Sequence, residues 1–509
     1  MDERNDLPQL PKGWVWTRLG DIVGNVEKTD PHVQPDREFD YIDIASIDNT
    51  QQKITSPKKY LGKDAPSRAR QVVKTGDVLF STVRTYLKNI AAVPSIFDGQ
   101  IASTGFCVIR PADGINHIFI FLLTQTNDFL NPLNDLQRGT SYPAVRDSDV
   151  FSQFVPIPPL PEQRRIVAKI EELFSDLDAG IAELQKAKAQ LKRYRQAVLK
   201  AAVEGKLTTE WREANKGKIE PASVLLERIR EERAKQGNGK EKTLPPVNTR
   251  ELGELPEGWC WATWKMILAN EAGAFRRGPF GSALTKSIFV ESGYKVYEQY
   301  CAINDDCSFG RYYITPEKFE EMRAFEVNAG DYLMSCSGVT LGRITRVPQQ
   351  FERGIINQAL LRIRINENII AHRYFLHLFR SPRFQKSLFD NSTGTAIPNV
   401  KGVKELRAIS FPLPSLTEQE FIVAEVERRL SVADEVEKTV AQGLKQAERL
   451  RQSILKRAFE GKLVPQDPSD EPAERLLEKI RASRAEEAEK INQDKPPKQR
   501  KENKQLKLI

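Results

Sequence analysis

Four histidines, His32, His117, His372 and His377, are the only imidazoles in the chain. His372 and His377 stand five apart, off one helix face, and none of the four forms a ligand-like cluster with cysteine. Five cysteines, Cys107, Cys260, Cys301, Cys307 and Cys336, contain no C-x-x-C pair. An odd number without that spacing argues against a disulfide framework and for a reducing compartment, so a cytoplasmic location is expected. The acidic pair Asp305-Asp306 reads as a turn. Gly338-Val339-Thr340-Leu341-Gly342-Arg343 lacks the Lys-Ser/Thr end of a phosphate-binding loop. No G-x-G-x-x-G follows a strand-like run, and no H-E-x-x-H, G-x-S-x-G or Asn/Asp-Pro-Pro-Tyr/Phe segment occurs. The residues that do chemistry elsewhere are therefore not arranged to do it here, and the chain reads as one without catalysis, metal or cofactor of its own.

What is arranged is a repeat. Leu10-Pro11-Lys12-Gly13-Trp14-Val15-Trp16 returns as Leu255-Pro256-Glu257-Gly258-Trp259-Cys260-Trp261. Gly76-Asp77-Val78-Leu79-Phe80-Ser81 returns as Gly330-Asp331-Tyr332-Leu333-Met334-Ser335, and Pro158 to Gln163 as Pro414 to Gln419. Glu204-Gly205-Lys206-Leu207 returns as Glu460-Gly461-Lys462-Leu463. The order is kept at a separation far beyond the ~20–50 residues of a solenoid repeat, so a whole set of domains is duplicated. Two related halves suit a partner with approximate two-fold symmetry.

Each half contains two kinds of sequence. Residues 10 to about 158 carry short apolar runs between Gly, Pro and Asp-Gly turn signals, with His117 to Phe129 helical; they predict a mixed α/β globule. Residues 255 to about 414 repeat the pattern, with Ile355 to Ile365 as a strand and Arg373 to Phe389 as a helix. The period then changes. From Glu162 to Glu204 no proline occurs, and apolar residues fall at Ile166, Ile170, Phe174, Leu177, Ile181, Leu184, Leu191, Tyr194 and Val198. Glu418 to Glu460 matches it with Ile422, Val426, Leu430, Ala433, Val436, Val440, Ala447, Leu450 and Ile454. Steps of three and four predict a coiled-coil seam. Pro161 and Thr417 precede the helices; Gly205 and Gly461 follow them. Each helix should be roughly 65 Å long at ~1.5 Å per residue. Their seams can bury each other, either parallel or antiparallel, and proline-rich hinges should hold each globule at its helix.

A third repeated element follows each long helix. Pro221 to Arg230 matches Pro472 to Arg481 as a short amphipathic helix. Gln236 to Lys242 reads as a flexible linker and Lys495 to Lys507 as a solvated tail. The chain of 509 residues carries a net charge of +8 with 29% charged and 40% apolar residues. That balance supports real cores and permits nucleic-acid binding without requiring it. Met1 to Asp6 is acidic and polar, so no secretory leader is expected, and no apolar run approaches the ~18 residues of a membrane span.

On the paired hinges, the helix ends Gln196 to Leu207 and Gln452 to Leu463, the L-P-x-G-W and G-D-x-L-x-S motifs, and Gly139-Thr140-Ser141 with Gly394-Thr395-Ala396, the chain resembles the DNA-specificity subunits of type I restriction–modification systems. The resemblance covers essentially the whole sequence. It implies an α+β fold with an internal pseudo-two-fold repeat, in which two target-recognition globules are separated by an antiparallel two-helix coiled coil. The expected boundaries are a first recognition domain at 1–158, a spacer helix at 159–207, and a short helix with linker at 208–254. A second recognition domain at 255–415, a spacer helix at 416–463, and a short helix with basic tail at 464–509 follow. Each globule would read half of a split duplex DNA site, and the helices would dock two methyltransferase subunits. Those partners would carry S-adenosylmethionine, and separate motor-nuclease subunits would translocate and cleave. A rod of roughly 65 Å matches nearly two turns of B-DNA at ~34–36 Å each.

Base reading needs side chains in the major groove and phosphate contacts for register. In the first globule the expected DNA contacts are Ser81, Arg84, Tyr86 and Lys88 after the Gly-Asp strand, with Arg138, Ser141 and Tyr142 near its end. In the second they are Ser335, Ser337, Arg343, Thr393 and Thr395, joined by Arg276, Arg277, Ser282 and Lys286 around the basic, glycine-rich stretch Phe275 to Ser282. Trp14, Trp16, Trp259 and Trp261 are expected to anchor cores, and Trp211 to pack the segment after the first long helix. Two other readings are a coiled-coil scaffold joining protein-binding globules and a DNA methyltransferase with degenerate motifs.

Overall fold

A computed structural model describes residues 7–236, 247, 252–280, 283–337, 340–389 and 400–493. The chain divides into two compact units, residues 1–185 with 441–509 and residues 186–440.

The first unit is built on a buried strand pair. Val78–Ser81 and Phe106–Ile109 are buried at every position, which explains their unbroken apolar runs: both sheet faces are covered. Because side chains alternate, Val78, Phe80, Cys107 and Ile109 feed one core, while Leu79, Phe106 and Val108 feed another. Ile90–Ala92 completes that sheet. A second sheet runs Lys58–Leu61, Glu38–Ile42, Ile101–Ser103, Ala69–Val72, with Glu38–Ile42 and Ile101–Ser103 parallel. Val15–Arg18 pairs antiparallel with Phe154–Ile157, so the tryptophan segment lies against the strand that leads into the first long helix.

The second unit repeats the plan. Tyr332–Ser335 and Leu360–Ile363 are its fully buried pair, and Cys260–Thr263 pairs with Ser410–Leu413. Its main sheet gains an edge strand, Phe275–Arg277, beside Leu360–Ile363. The predicted strand Ile355–Ile365 is two strands: Gly354–Ile356 lies in one sheet and Leu360–Ile363 in another. The predicted single helices are also broken. His117–Leu123 ends before Asn127–Asp135, which Thr126 caps by accepting from Phe129 N. His372–Arg380 ends before Pro382–Leu388, since Ser381 turns extended and its hydroxyl caps the new helix ahead of the proline.

The same polar lock fixes each core. The Gly-Asp turns place Gly76 and Gly330 at φ +86° and +84°. Asp77 accepts from Lys74 N (2.8 Å) and from Arg110 Nε and Nη2 (2.8 and 2.6 Å). Asp331 does likewise with Asn328 N (2.8 Å) and Arg364 Nε (2.6 Å). The motif is thus a turn whose carboxylate straps one core strand to the next.

The long helices run Leu160–Val203 and Leu416–Phe459. Each starts on a buried Glu-Gln pair. Gln163 Nε2 donates to Pro158 O (3.0 Å) and its Oε1 accepts from Asn116 N (2.8 Å); Gln419 bonds Pro414 O (2.9 Å) and Ala371 N (2.7 Å) in the same way. Trp14 Nε1 donates to Glu162 (3.0 Å) and Trp259 Nε1 to Glu418 (2.8 Å). The helices end at left-handed glycines, where space is short as well. A Cβ on Gly205 would lie 2.6 Å from Pro256 Cγ, and one on Gly461 would lie 2.3 Å from Pro11 Cγ. Each unit therefore holds the start of one long helix and the end of the other, both gripped by its Leu-Pro-x-Gly-Trp segment.

Within each unit the two helix halves pair antiparallel. In the first, Arg451 pairs with Asp178 and lies 4.3 Å over the Phe174 ring, and Leu184 faces Gly443. In the second, Arg195 reaches Asp434 (2.6 Å) and Glu437 (2.7 Å). Val426, Ala433, Val440, Ala447 and Ile454 are buried at every seventh position, as a seam requires. Tyr194, Val436 and Leu450, expected on that seam, are 42%, 43% and 50% exposed. A pair of helices covers one narrow stripe of each, and these three fall outside it. Gly180 is an exposed helical position where a Cβ would meet nothing within 4 Å. Gly180→Ala should stabilise the protein by about 1 kcal/mol. A calorimetric scan should show the unfolding midpoint rising by roughly 2–4 °C; a fall would mean that the glycine serves a contact absent from this helix pair.

Candidate nucleic-acid interface

In the first unit the strand Val78–Ser81 delivers the chain to an exposed loop. Arg84 and Lys88 flank the single 3-10 turn Thr85–Leu87 and both adopt left-handed backbone, at φ +50° and +52°. Non-glycine residues held there cost roughly 1 kcal/mol or more each, and such strain gathers at functional sites. A second loop braces the first. Arg138 and Ala144 exchange backbone hydrogen bonds of 2.9 and 3.0 Å, forming a small hairpin whose tip is Gly139 to Pro143. Arg84 N donates to Pro143 O (2.8 Å), its Nη2 donates to Ser141 O (3.0 Å), and its guanidinium carbon sits 4.9 Å from the Tyr142 ring centre. Thr85 ties the base of both loops through Asn134 (2.6 Å) and Gln137. Tyr142 is 71% exposed and Tyr86 52%. Arg138 is also exposed, with Asp149 3.9 Å away.

Six expected contacts, Arg84, Tyr86, Lys88, Arg138, Ser141 and Tyr142, thus lie on two touching loops. Ser81 does not join them. It is 2% exposed and its hydroxyl donates to Val83 O (2.9 Å), because it ends a strand covered on both faces.

In the second unit the edge strand Phe275–Arg277 separates its two arginines, since neighbours on a strand face opposite ways. Arg277 Nη2 donates to Ser337 Oγ (2.8 Å) and its guanidinium lies 5.2 Å from the ring centre of Phe280, which is 68% exposed. Arg276 instead lies over Phe325 (5.7 Å) and is paired in register with Arg362. Gly278 is required at this point: a Cβ would lie 1.8 Å from Asn357 O. Ser335, like Ser81, is buried; it donates to Thr340 O (3.1 Å) and accepts from Arg343 N (3.0 Å), so its hydroxyl is committed to the fold. Arg343 and Lys286 are exposed on their own turns. Ser282, Thr393 and Thr395 lie outside the described residues.

Two features were missed in the sequence. Phe280, the aromatic partner of Arg277, lies in the basic, glycine-rich stretch but was not singled out as a contact. Arg362 is 2% exposed in a core strand, where its guanidinium donates to Gly273 O (2.8 Å) and Glu326 O; burial, and then Arg364, push its pKa down to about 10. The first repeat has Val108 at this place. An arginine inside the run Leu-Leu-Arg-Ile was the available signal.

Most of the cysteines, and His377, are turned inward. Burial pushes the Cys260 and Cys307 thiols up to about 11 and Cys336 up to about 12, so they stay protonated at neutral pH. His377 is pushed down to about 4 by burial. Among the described residues no three His, Cys, Asp or Glu side chains form a metal-sized group, and no helix is long and apolar enough to cross a membrane.

Residues 11–191 match the family model described as type I restriction modification DNA specificity domain. The chain is 30% identical over 368 residues to the type I restriction enzyme EcoBI specificity subunit of Escherichia coli, with 70% of each chain covered. It is 27% identical over 399 residues to the StySPI specificity subunit of Salmonella potsdam, covering 75% of this chain and 74% of that one. A solved structure from work on complex assembly and conformational transition of the type I R-M system is similar at 30% identity and a TM-score of 0.60. The match covers 90% of this chain and all of that one.

Proposed function

We propose, since this chain belongs to the family of type I restriction–modification DNA-specificity subunits, that each of its two units reads one half of a split duplex DNA site. The observation that carries this reading is a shared frame with unshared loops. The Trp–Glu–helix and Asp–Arg locks recur in both units with the same partners. The partly exposed arginine patches are built from different positions: Arg84 with Ser141 and Tyr142 in one, Arg277 with Ser337 and Phe280 in the other. A repeated scaffold whose arginines stand on unrelated loops and strands suits two different base sequences. Phosphate contacts by Lys88, Arg138, Lys286 and Arg343 would set register, with base edges read from the loops.

The long helices dock two methyltransferase subunits in this reading. Those partners bind S-adenosylmethionine and methylate adenine; motor-nuclease subunits join them for cleavage, all in the cytoplasm. The chain itself contributes recognition and no bond-making step. Assembled with its methyltransferase partners, it should bind one bipartite sequence roughly a thousandfold or more above random duplex in a gel shift. Mapping methylated adenines on the same DNA should return both half-sites. Binding without sequence preference would favour a scaffold, and turnover of S-adenosylmethionine by the isolated chain would show it to be the catalyst.

A further inference from the structure

We propose that Arg84 reads a guanine in the half-site of the first unit, and that Tyr142 is the positioning residue that fixes its guanidinium plane. The inference rests on the DNA-reading function given above and adds the base and the atoms that recognise it.

Three restraints hold Arg84. Its backbone is pinned in a left-handed conformation by the bond from N to Pro143 O (2.8 Å). One Nη2 proton is fixed on Ser141 O (3.0 Å), and the plane is backed by the Tyr142 ring at 4.9 Å. The side chain has no ion pair with any described carboxylate; its Nε is buried without a partner, and beyond the bond to Ser141 O the two Nη nitrogens have no further hydrogen bond among the described residues. What is left over is the Nη1–Nη2 end of the guanidinium as a fork of donors. A phosphate contact needs charge and reach but no fixed plane, and a lysine supplies it as well. The O6 and N7 acceptors of guanine need two coplanar donors, which an oriented arginine supplies and a lysine does not. Strain and stacking therefore go where orientation matters.

The second unit builds the same device from unrelated positions. Arg277 is on an edge strand rather than in a strand-to-strand loop, yet its guanidinium also lies on an exposed aromatic, Phe280, and bonds a neighbour, Ser337. That the second device faces the other half-site makes it an internal control.

The test uses the complex with methyltransferase subunits on a duplex library randomised across the mapped site, read by methylation. Arg84→Ala should reduce the preference for guanine at one position of one half-site by roughly 10- to 100-fold. All other positions and the other half-site should be unchanged. Arg84→Lys should lose the same preference despite keeping the charge. Tyr142→Ala should weaken it at that position only, and Tyr142→Phe should retain it. Arg277→Ala should alter the opposite half-site alone. A uniform loss across all sequences, with a shallower dependence of binding on salt, would make Arg84 a phosphate contact and overturn the inference. So would unchanged base preference in Arg84→Ala. If the unaltered complex shows no split-site preference, the functional reading itself fails, an outcome distinct from either.

Discussion

Glu418→Ala should destabilise the second unit by about 3–5 kcal/mol, the range for removing one partner of a buried charge pair. The carboxylate is 2% exposed and accepts from Trp259 Nε1 (2.8 Å), Thr208 Oγ1 (2.7 Å) and Arg212 Nη1. It joins the first turn of the second long helix, the segment that follows the first, and the tryptophan segment at the start of the globule. Alanine would leave the Arg212 guanidinium, whose side chain is 16% exposed, without its counter-charge and would orphan an indole N–H. Urea unfolding followed by tryptophan fluorescence should show an early transition of this unit; a loss under about 1 kcal/mol would mean that the network is ornamental. The equivalent Glu162 differs. It accepts from Trp14 (3.0 Å) and Gln466 (3.3 Å) but pairs with no arginine among the described residues, and burial raises its pKa above the usual carboxylate value. A raised pKa in the folded state means that protonation favours folding, so this contribution is present at low pH and is lost as pH rises through the folded value. Glu162→Gln should therefore be neutral or stabilising at pH 7, with the difference fading below pH ~4.5.

Asp77→Ala should cost the first unit about 3–5 kcal/mol by the same mechanism. Asp77 is 1% exposed, and Arg110 would be left with only the carbonyls of Asn25 and Val72 (3.0 Å each). The turn would also lose its acceptor for Lys74 N. Asp77→Ala with Arg110→Met should recover a good part of the loss, since removing both partners leaves no orphan charge. If the double variant is no better than the single one, the carboxylate acts through the turn rather than through the arginine. DNA selectivity in folded material should be unchanged, because neither side chain lies on the loops that carry Arg84 and Tyr142.

Much of the frame was legible. The helices of heptad period end just before Gly205 and Gly461 as expected, but they begin at Leu160 and Leu416, so Pro161 and Thr417, expected ahead of them, lie in the first turn, where a missing or unpaired N–H costs nothing. The inward tryptophans Trp14 and Trp259 are 5% and 8% exposed, and Trp211 stacks on Phe421 at 5.2 Å. Less legible were internal breaks such as Thr124–Thr126 and Ser381, where a hydroxyl cap inside a helical pattern ends one helix and starts another. The candidate interface was half readable. Arg84 stands 57 residues from Ser141, and motif spacing put the arginine after the Gly-Asp strand and Ser141 and Tyr142 near the end of the globule but could not bring them into contact. That Arg276 and Arg277 face opposite ways was legible only from the strand that separates them.

By itself the sequence determined the duplication, the long helices, their capped ends and the family, because these depend on periodicity and local backbone chemistry that each segment carries alone. The helix direction, which the residues left open and the resemblance implied, is fixed as antiparallel by the tertiary structure, and only that structure decided that the Glu-Gln start of each helix locks onto a tryptophan more than a hundred residues away, and that Ser81 and Ser335 are walled in while Arg84 stands on Tyr142. Those outcomes turn on which surfaces meet. Burial and hydrogen-bond satisfaction are properties of the assembled neighbourhood, and a residue's own type and position do not set them.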